Sequence, residues 1–226
     1  MSTIVVGDVH GCVDELSDLL AACRYGAGDQ LVLVGDLVAK GPDSRGVLAL
    51  VRELGARSVL GNHDAHLLRA RNALLRGGPQ PARPIRPATA RLVRELDDRD
   101  WQVLDALPLW LSLPEHQALV VHAGLEPGKP LAAQDPELLL NIRTIRPDGS
   151  GSRGRDDGVL WGSSWPGPEL VLFGHHASAG LQRHPFAIGL DTGCVYGNQL
   201  TACVLPERRI VSVPARHVYQ PIEDGA

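Results

Sequence analysis

Short apolar runs recur at Thr3–Val6, Gln30–Val34, Arg57–Leu60, Ala118–Val121 and Leu170–Phe173, each about strand length and apolar on both faces. Unbroken apolarity over so few residues predicts strands covered on both sides, as in the parallel sheets of α/β proteins. Between the first two runs, Val13, Leu16, Leu19, Leu20 and Cys23 recur at helical spacing, and Gly28 and Asp29 mark the turn back. Residues 44–54 place Val47, Leu48, Val51 and Leu54 on one helical face. Strand, helix, strand, helix, strand predicts an α/β sandwich.

From Gly77 to Pro87 the run GGPQPARPIRP breaks regular structure, and a helical pattern resumes over 88–107 through Leu92, Val93, Leu96, Trp101, Leu104 and Leu107. Residues 66–110 or so therefore read as helical cover, and 125–160 as a variable loop or lid region, within one domain spanning 1–226. The stretch PDGSGSRGRDDG at 147–158 is predicted to be a mobile surface loop. It contains a formal GxGxxG, but without a strand before it or a helix after it the spacing does not make a dinucleotide cradle. No GxxxxGK[ST] occurs, so P-loop chemistry is not supported.

The candidate chemistry sits immediately after each apolar run. Gly7-Asp8-Val9-His10-Gly11 succeeds the first, Gly35-Asp36 the second and Gly61-Asn62-His63-Asp64 the third; His122-Ala123-Gly124 and Gly174-His175-His176 succeed the last two. Sites in open α/β sheets form just beyond the carboxyl ends of strands, where residues distant in sequence converge. The donors are oxygen and nitrogen without thiolate, which suits Mn, Fe, Zn or Co. A single Asp after a strand reads as a turn or cap; five such clusters in five matching places point to one site.

Composition narrows the partners. A formal net charge of −4 on 226 residues leaves no global basic footprint for duplex nucleic acid, so an anionic substrate needs local positive charge. Cys12, Cys23, Cys194 and Cys203 form no CxxC pair, and the start MSTIVVGDVH lacks a secretory pattern, which together point to a reducing, cytoplasmic setting. A Cys194–Cys203 pairing is the open alternative. Cys12, beside the first polar cluster, is either an oxidation-sensitive thiol or a small apolar core residue. No apolar run approaches the ~18 residues of a membrane span, and the oligomeric state is not legible.

GDVHG, GDLVAKG, GNHD, VHAG and FGHH together resemble the signature blocks of the calcineurin-like metallophosphoesterase superfamily, in the family's order from residue 7 to residue 176. GDLVAKGPDS, GNHDAHLL, HAGLEP and LDTGCVYGNQLTA (190–202) are most similar to bacterial symmetrical diadenosine tetraphosphatases, with related bacterial serine/threonine protein phosphatases as neighbours. The resemblance implies a four-layer αββα sandwich with a dinuclear metal site at the C-terminal ends of the strands. It implies that Asp8 and His10 bind one metal, Asp36 bridges, and Asn62, His122 and His175 bind the second, with two divalent ions, Mn²⁺ first and Fe, Co or Zn as alternatives.

His63 is then the expected general acid. Where the related phosphatases carry a second Asp and an Arg in the GDxVDRG block, this chain has Ala39 and Lys40, which leaves the partner of His63 unassigned; Asp64 is adjacent. Lys40, together with Arg143 or Arg146, is expected to bind phosphate, Arg143 being favoured, and His176 to stack on a base or pack in the core. The implied reaction is hydrolysis of diadenosine tetraphosphate to two ADP, with tetraphosphate-capped RNA ends as further substrates. A phosphoprotein phosphatase acting on phosphoserine, phosphothreonine or phosphotyrosine is the close alternative, favoured by the short segment between the last two blocks, whereas LDTGCVYG and Ala39 favour the tetraphosphatase. A metal-binding scaffold without turnover is the alternative of another class.

Overall fold

All five apolar runs form strands, trimmed where the backbone turns into the polar clusters. The computed structural model describes residues 1–221; the last five residues of the expected 1–226 domain lie outside the described residues. In chain order the elements are β1 (Thr3–Val6), α1 (Val13–Cys23), β2 (Gln30–Leu33), α2 (Ser44–Glu53), β3 (Arg57–Ser58), α3 (Asn62–Leu75), α4 (Pro87–Glu95) and α5 (Asp98–Asp105). After these come β4 (Trp110–Leu113), β5 (Ala118–Val121), α6 (Pro136–Leu139), β6 (Thr144–Ile145), β7 (Gly151–Ser152), β8 (Val159–Leu160), β9 (Leu170–Phe173), β10 (Gln182–Arg183), β11 (Ala187–Gly189), β12 (Gln199–Leu205) and β13 (Arg209–Pro214).

Two five-stranded sheets, ordered β13-β12-β1-β2-β3 and β10-β11-β9-β5-β4, form the centre. β1, β2 and β3 run parallel, as do β5, β9 and β11, so their C-terminal ends gather at one edge of each sheet. Val5, Val32 and Val34 pack against Val120, Leu170 and Leu172 between the sheets. On the outer face of the first sheet, Ile4, Val6, Leu31 and Leu33 meet the apolar faces of the first five helices. The outer face of the second sheet, with Leu119, Val121, Val171 and Phe173, is covered by Leu139, Ile142 and Trp161 from α6, its following loop and a short 3₁₀ turn. The chain thus has the mixed α/β architecture of the metallophosphoesterases, with one deep helical layer and one thin one.

Two expectations need correction, and one open alternative is removed. The helix expected over 88–107 is two helices, because the Asp97 carboxylate accepts from the Arg99 and Asp100 amides and caps a new start at α5. The supposed mobile loop at 147–158 is partly ordered into the small sheet β7-β6-β8, where Gly151 donates to the buried Glu126 carboxylate and Arg146 bonds Gly151 O and Ser152 Oγ. Cys194 and Cys203 do not pair. They lie in different cores on opposite sides of the first sheet, and all four cysteines are buried and free.

Candidate active site

Each ligand candidate leaves a parallel strand and enters a tight turn at the same edge. Asp8 and His10 follow β1, Asp36 follows β2, Asn62 opens α3 just beyond β3, His122 follows β5 and His175 follows β9. His10, Asp36 and His175 have positive φ (49°, 51° and 70°), as do Ala39 and Lys40. Left-handed backbone costs a non-glycine residue ~1–3 kcal/mol and concentrates where the surroundings fix a functional geometry. Glycine is obligatory at two contacts: a Cβ on Gly174 would collide with Asp8 Oδ1, and one on Gly61 with Asp36.

The donors converge. His10 Nε2 lies 3.3 Å from Asp36 Oδ2, and His122 Nε2 lies 3.0 Å from Asn62 Oδ1 and 3.7 Å from Asp36 Oδ1. His175 Nδ1 is 3.2 Å from the same Asn62 oxygen, and the His175 amide donates to both oxygens of Asp8. Two overlapping clusters result, Asp8–Asp36–His122 and His10–Asp36–His63, each with donor atoms within 4.8 Å of one another. Asp36 belongs to both.

The hydrogen bonds decide how the imidazoles face this centre. His10 Nδ1 sits 3.2 Å from Val38 O and His122 Nδ1 2.8 Å from Val34 O. A carbonyl only accepts, so each Nδ1 carries the proton and each Nε2 turns a lone pair inward, the arrangement usual for metal-bound histidine. The His122 lone pair then faces the Asn62 carbonyl oxygen, acceptor against acceptor. His175 Nε2 is buried with no hydrogen-bond partner. A shared cation reconciles both features, so the residues fit a metal centre.

The electrostatics agree. Burial, with Asp191 and Asp36 adding repulsion, pushes Asp8 well above the usual carboxylate range. Burial raises Asp36 to about 6 against the opposing charge of Lys40. Burial holds His10 well below its ordinary value and His122 at about 4, which keeps their lone pairs available. Buried carboxylates and neutral imidazoles this close together call for positive charge.

Around this floor opens a cavity of about 1060 Å³. Lys40 reaches into it with Nζ 3.0 Å from His10 Nε2 and 5.2 Å from the centre of the Tyr196 ring. His63 lines it edge-on to His10, ring centres 5.0 Å apart, with its amide bonded to Asp36 Oδ1. Asp64 does not orient His63, because its two oxygens accept from Val38 N and Gly61 N. Arg143 and His176 line the cavity, His176 being buried there. Arg146 is not among the lining residues; its guanidinium bonds the 150–157 loop. Cys12 is fully buried in the apolar core.

The sequence pattern assigned no role to Asp191, Arg83 or Arg155, all of which line the cavity. Asp191 lies just beyond β11 and is buried, one oxygen held by Gly193 N. Its signal was available: the apolar PFAIGL before Asp-Thr-Gly repeats the pattern of the other five runs. The two arginines sit in loops that carry no such pattern.

A fold with two packed sheets and a buried oxygen–nitrogen cluster at the strand ends defines a metallophosphoesterase. The model of the calcineurin-like phosphoesterase family, hydrolases that use divalent metals, matches residues 1–207, and the chain belongs to that family. It is 32% identical over 282 aligned positions to a bis(5'-nucleosyl)-tetraphosphatase, symmetrical, of Janthinobacterium sp. (strain Marseille), covering 98% of this chain and 99% of that one. It is 29% identical to the asymmetrical bis(5'-nucleosyl)-tetraphosphatase PrpE of Oceanobacillus iheyensis, covering 97% of this chain and 94% of that one. A crystal structure described provisionally as a diadenosine tetraphosphatase superposes with a TM-score of 0.86 at 43% identity, covering 95% and 93% of the two chains. A Saccharomyces cerevisiae protein serine/threonine phosphatase shares the fold at a TM-score of 0.59 and 17% identity, over 98% of this chain and 81% of that one. Among the described residues no helix is long and apolar enough to cross a membrane.

Proposed function

We propose that this chain, acting as one domain in the cytoplasm, hydrolyses dinucleoside polyphosphates and converts diadenosine tetraphosphate and water to two ADP. The observation that carries the reading is a two-metal donor set on the floor of a cavity of about 1060 Å³ whose walls carry arginine. Ligand pockets commonly enclose ~300–1,000 Å³, so this one accommodates far more than a single phosphorylated side chain. Relatives matched over nearly their whole length carry tetraphosphatase names. Tetraphosphate-capped RNA ends present the same phosphate chain and are secondary candidates.

Asp8 and His10 would hold one ion and Asn62, His122 and His175 the other, with Asp36, common to both donor clusters, available to each. Mn²⁺ is the favoured metal, with Fe, Co and Zn compatible with the donors. Two such ions would supply a nucleophile at neutral pH, by lowering the pKa of bound water toward ~7, and a charge clamp on phosphoryl oxygens. The protein does the rest. Lys40 and Arg143 fix the phosphoryl group, the guanidinium by a fork of donors and the ammonium as a point charge. The buried Nε of Arg143 has no hydrogen-bond partner within the protein. His63 protonates the leaving oxygen. Burial and Lys40 hold its pKa well below the ordinary value, and an arriving polyphosphate anion favours the protonated ring. His176 walls the cavity beside Arg143, where a base can stack.

The test is product analysis of the Mn²⁺-loaded protein on diadenosine tetraphosphate beside a phosphopeptide panel. ADP as sole product supports the reading; AMP plus ATP assigns asymmetrical cleavage. Rapid phosphopeptide turnover with inert dinucleotide overturns it.

A further inference from the structure

Of the six arginines that line the cavity, Arg45 pairs with Asp97 and Asp100, Arg91 pairs with Glu95, and Arg86 is also engaged. Arg143 donates to Arg153 O and is half-buried at the inner wall. Arg83 and Arg155 differ from these. Both are exposed, and among the described residues neither has an ion-pair or hydrogen-bond partner.

They also come from different walls. Arg83 rides the proline-flanked segment ahead of α4 and lines the cavity with His63, His66 and Leu67 of α3. Arg155 rides the turn between β7 and β8 and lines it with Arg143 and His176. Their fields divide the same way: Arg83 acts on Asp36, His63 and His66, whereas Arg155 acts on Arg143 and His176. On the floor, Asp36 and His63 lie in the field of Arg83, whereas His175 lies in that of Arg143, which in turn feels Arg155. The β7–β8 turn is held in place from below, since Gly151 N is anchored to the buried Glu126 and Thr144 Oγ1 donates to Gly154 O.

We infer that Arg83 and Arg155 form two outer anion subsites, one on each side of the phosphoryl group under attack, and that together they select substrates carrying phosphates on both sides of the scissile bond. An unpaired guanidinium at a cavity mouth presents a planar fork that matches two phosphate oxygens. A phosphomonoester reaches only Lys40 and Arg143. A polyphosphate chain cleaved at an internal phosphate extends both ways and meets both arginines. His63 stands at the Arg83 end, which assigns that end to the leaving half and the Arg155 end to the retained half. The inference rests on the polyphosphate reading above, yet the subsites themselves need only a chain of linked phosphates.

The test separates the two. The full-length protein at fixed free Mn²⁺ is titrated by calorimetry with orthophosphate, methylenediphosphonate and the three-phosphorus bis(methylene)triphosphonate, probes without a hydrolysable bridge. Affinity is expected to rise with each added phosphorus. Arg83→Ala and Arg155→Ala should each weaken the triphosphonate about fivefold at low salt, the effect shrinking as salt is added, while orthophosphate changes less than about twofold. Arg83→Glu should weaken it further, and Arg155→Lys should show only part of the loss. Thermal midpoints equal to wild type certify the fold of these surface variants. Equal affinity of wild type for all three probes overturns the inference, as does an equal loss for orthophosphate and triphosphonate. Persistence of the length dependence with diadenosine tetraphosphate left intact would instead remove the dinucleotide reading and keep the subsites.

Discussion

On the cavity floor, Asp8, His10, Asp36, Asn62, His122 and His175 stand directly beyond parallel strands, and Asp36 and His122 are 1% and 0% exposed. At the rim, Arg83 and Arg155 stand exposed on loops, without protein partners among the described residues. The floor is over-determined. Backbone carbonyls set its tautomers, glycines make room for its carboxylates, and left-handed residues are held by the packing around them. The rim arginines are placed only by their loops, that of Arg155 through Gly151 on Glu126 and Arg146 on Ser152. In the proposed enzyme, chemistry depends on this rigidity and choice of substrate on charge placed at the ends of loops.

The contrast predicts a graded series. Asp36→Asn removes the carboxylate common to both clusters, so turnover should fall by ~10³-fold or more, beyond the usual cost of one lost transition-state donor, and metal analysis should show less than the wild-type content. His63→Gln should lower kcat by ~10²–10³-fold with metal content unchanged; a parallel loss of metal would make His63 a ligand and move it from rim chemistry to the floor. Removing metal by chelation should lower the thermal midpoint, because the repelling Asp8, Asp36 and Asp191 lose their counter-charge. For an ion at ~1,000 times its Kd the lost stabilisation is ~4 kcal/mol, measurable by calorimetry.

Smaller effects test the wall between floor and rim. Arg143→Ala should weaken orthophosphate binding by ~10-fold, the worth of one charged hydrogen bond, whereas Arg146→Ala should leave it within about twofold and loosen the 150–157 loop in hydrogen exchange. The smallest effect belongs to Cys12. Fully buried, it should confer no special peroxide sensitivity, so that wild type and Cys12→Ser lose activity at the same rate.

The parts legible in the sequence were those with a local cause. Apolar runs at strand length, each followed by glycine or a candidate metal ligand, placed β1, β2, β5 and β9 and the residues just beyond them. β12 and β13 escaped because no polar cluster drew attention to them, although β12 pairs with β1 along the whole of β1. The break at Asp97 was hidden by continuous helical periodicity on either side of a cap. Asp191 was missed because its strand, Ala187–Gly189, is short and carries glycine.

By itself, then, the sequence determined the α/β order, the identity of the donor atoms and the strand ends that carry them, since hydrophobic period and glycine punctuation are properties of the chain alone. Only the tertiary structure decided which donors meet, which nitrogen His10 and His122 turn inward, that Arg143 and not Arg146 lines the cavity, and that Arg83 and Arg155 stand unpaired among the described residues at its two ends. Those facts depend on distances between residues as far apart as Asp8 and His175, which the packing of the two sheets brings together.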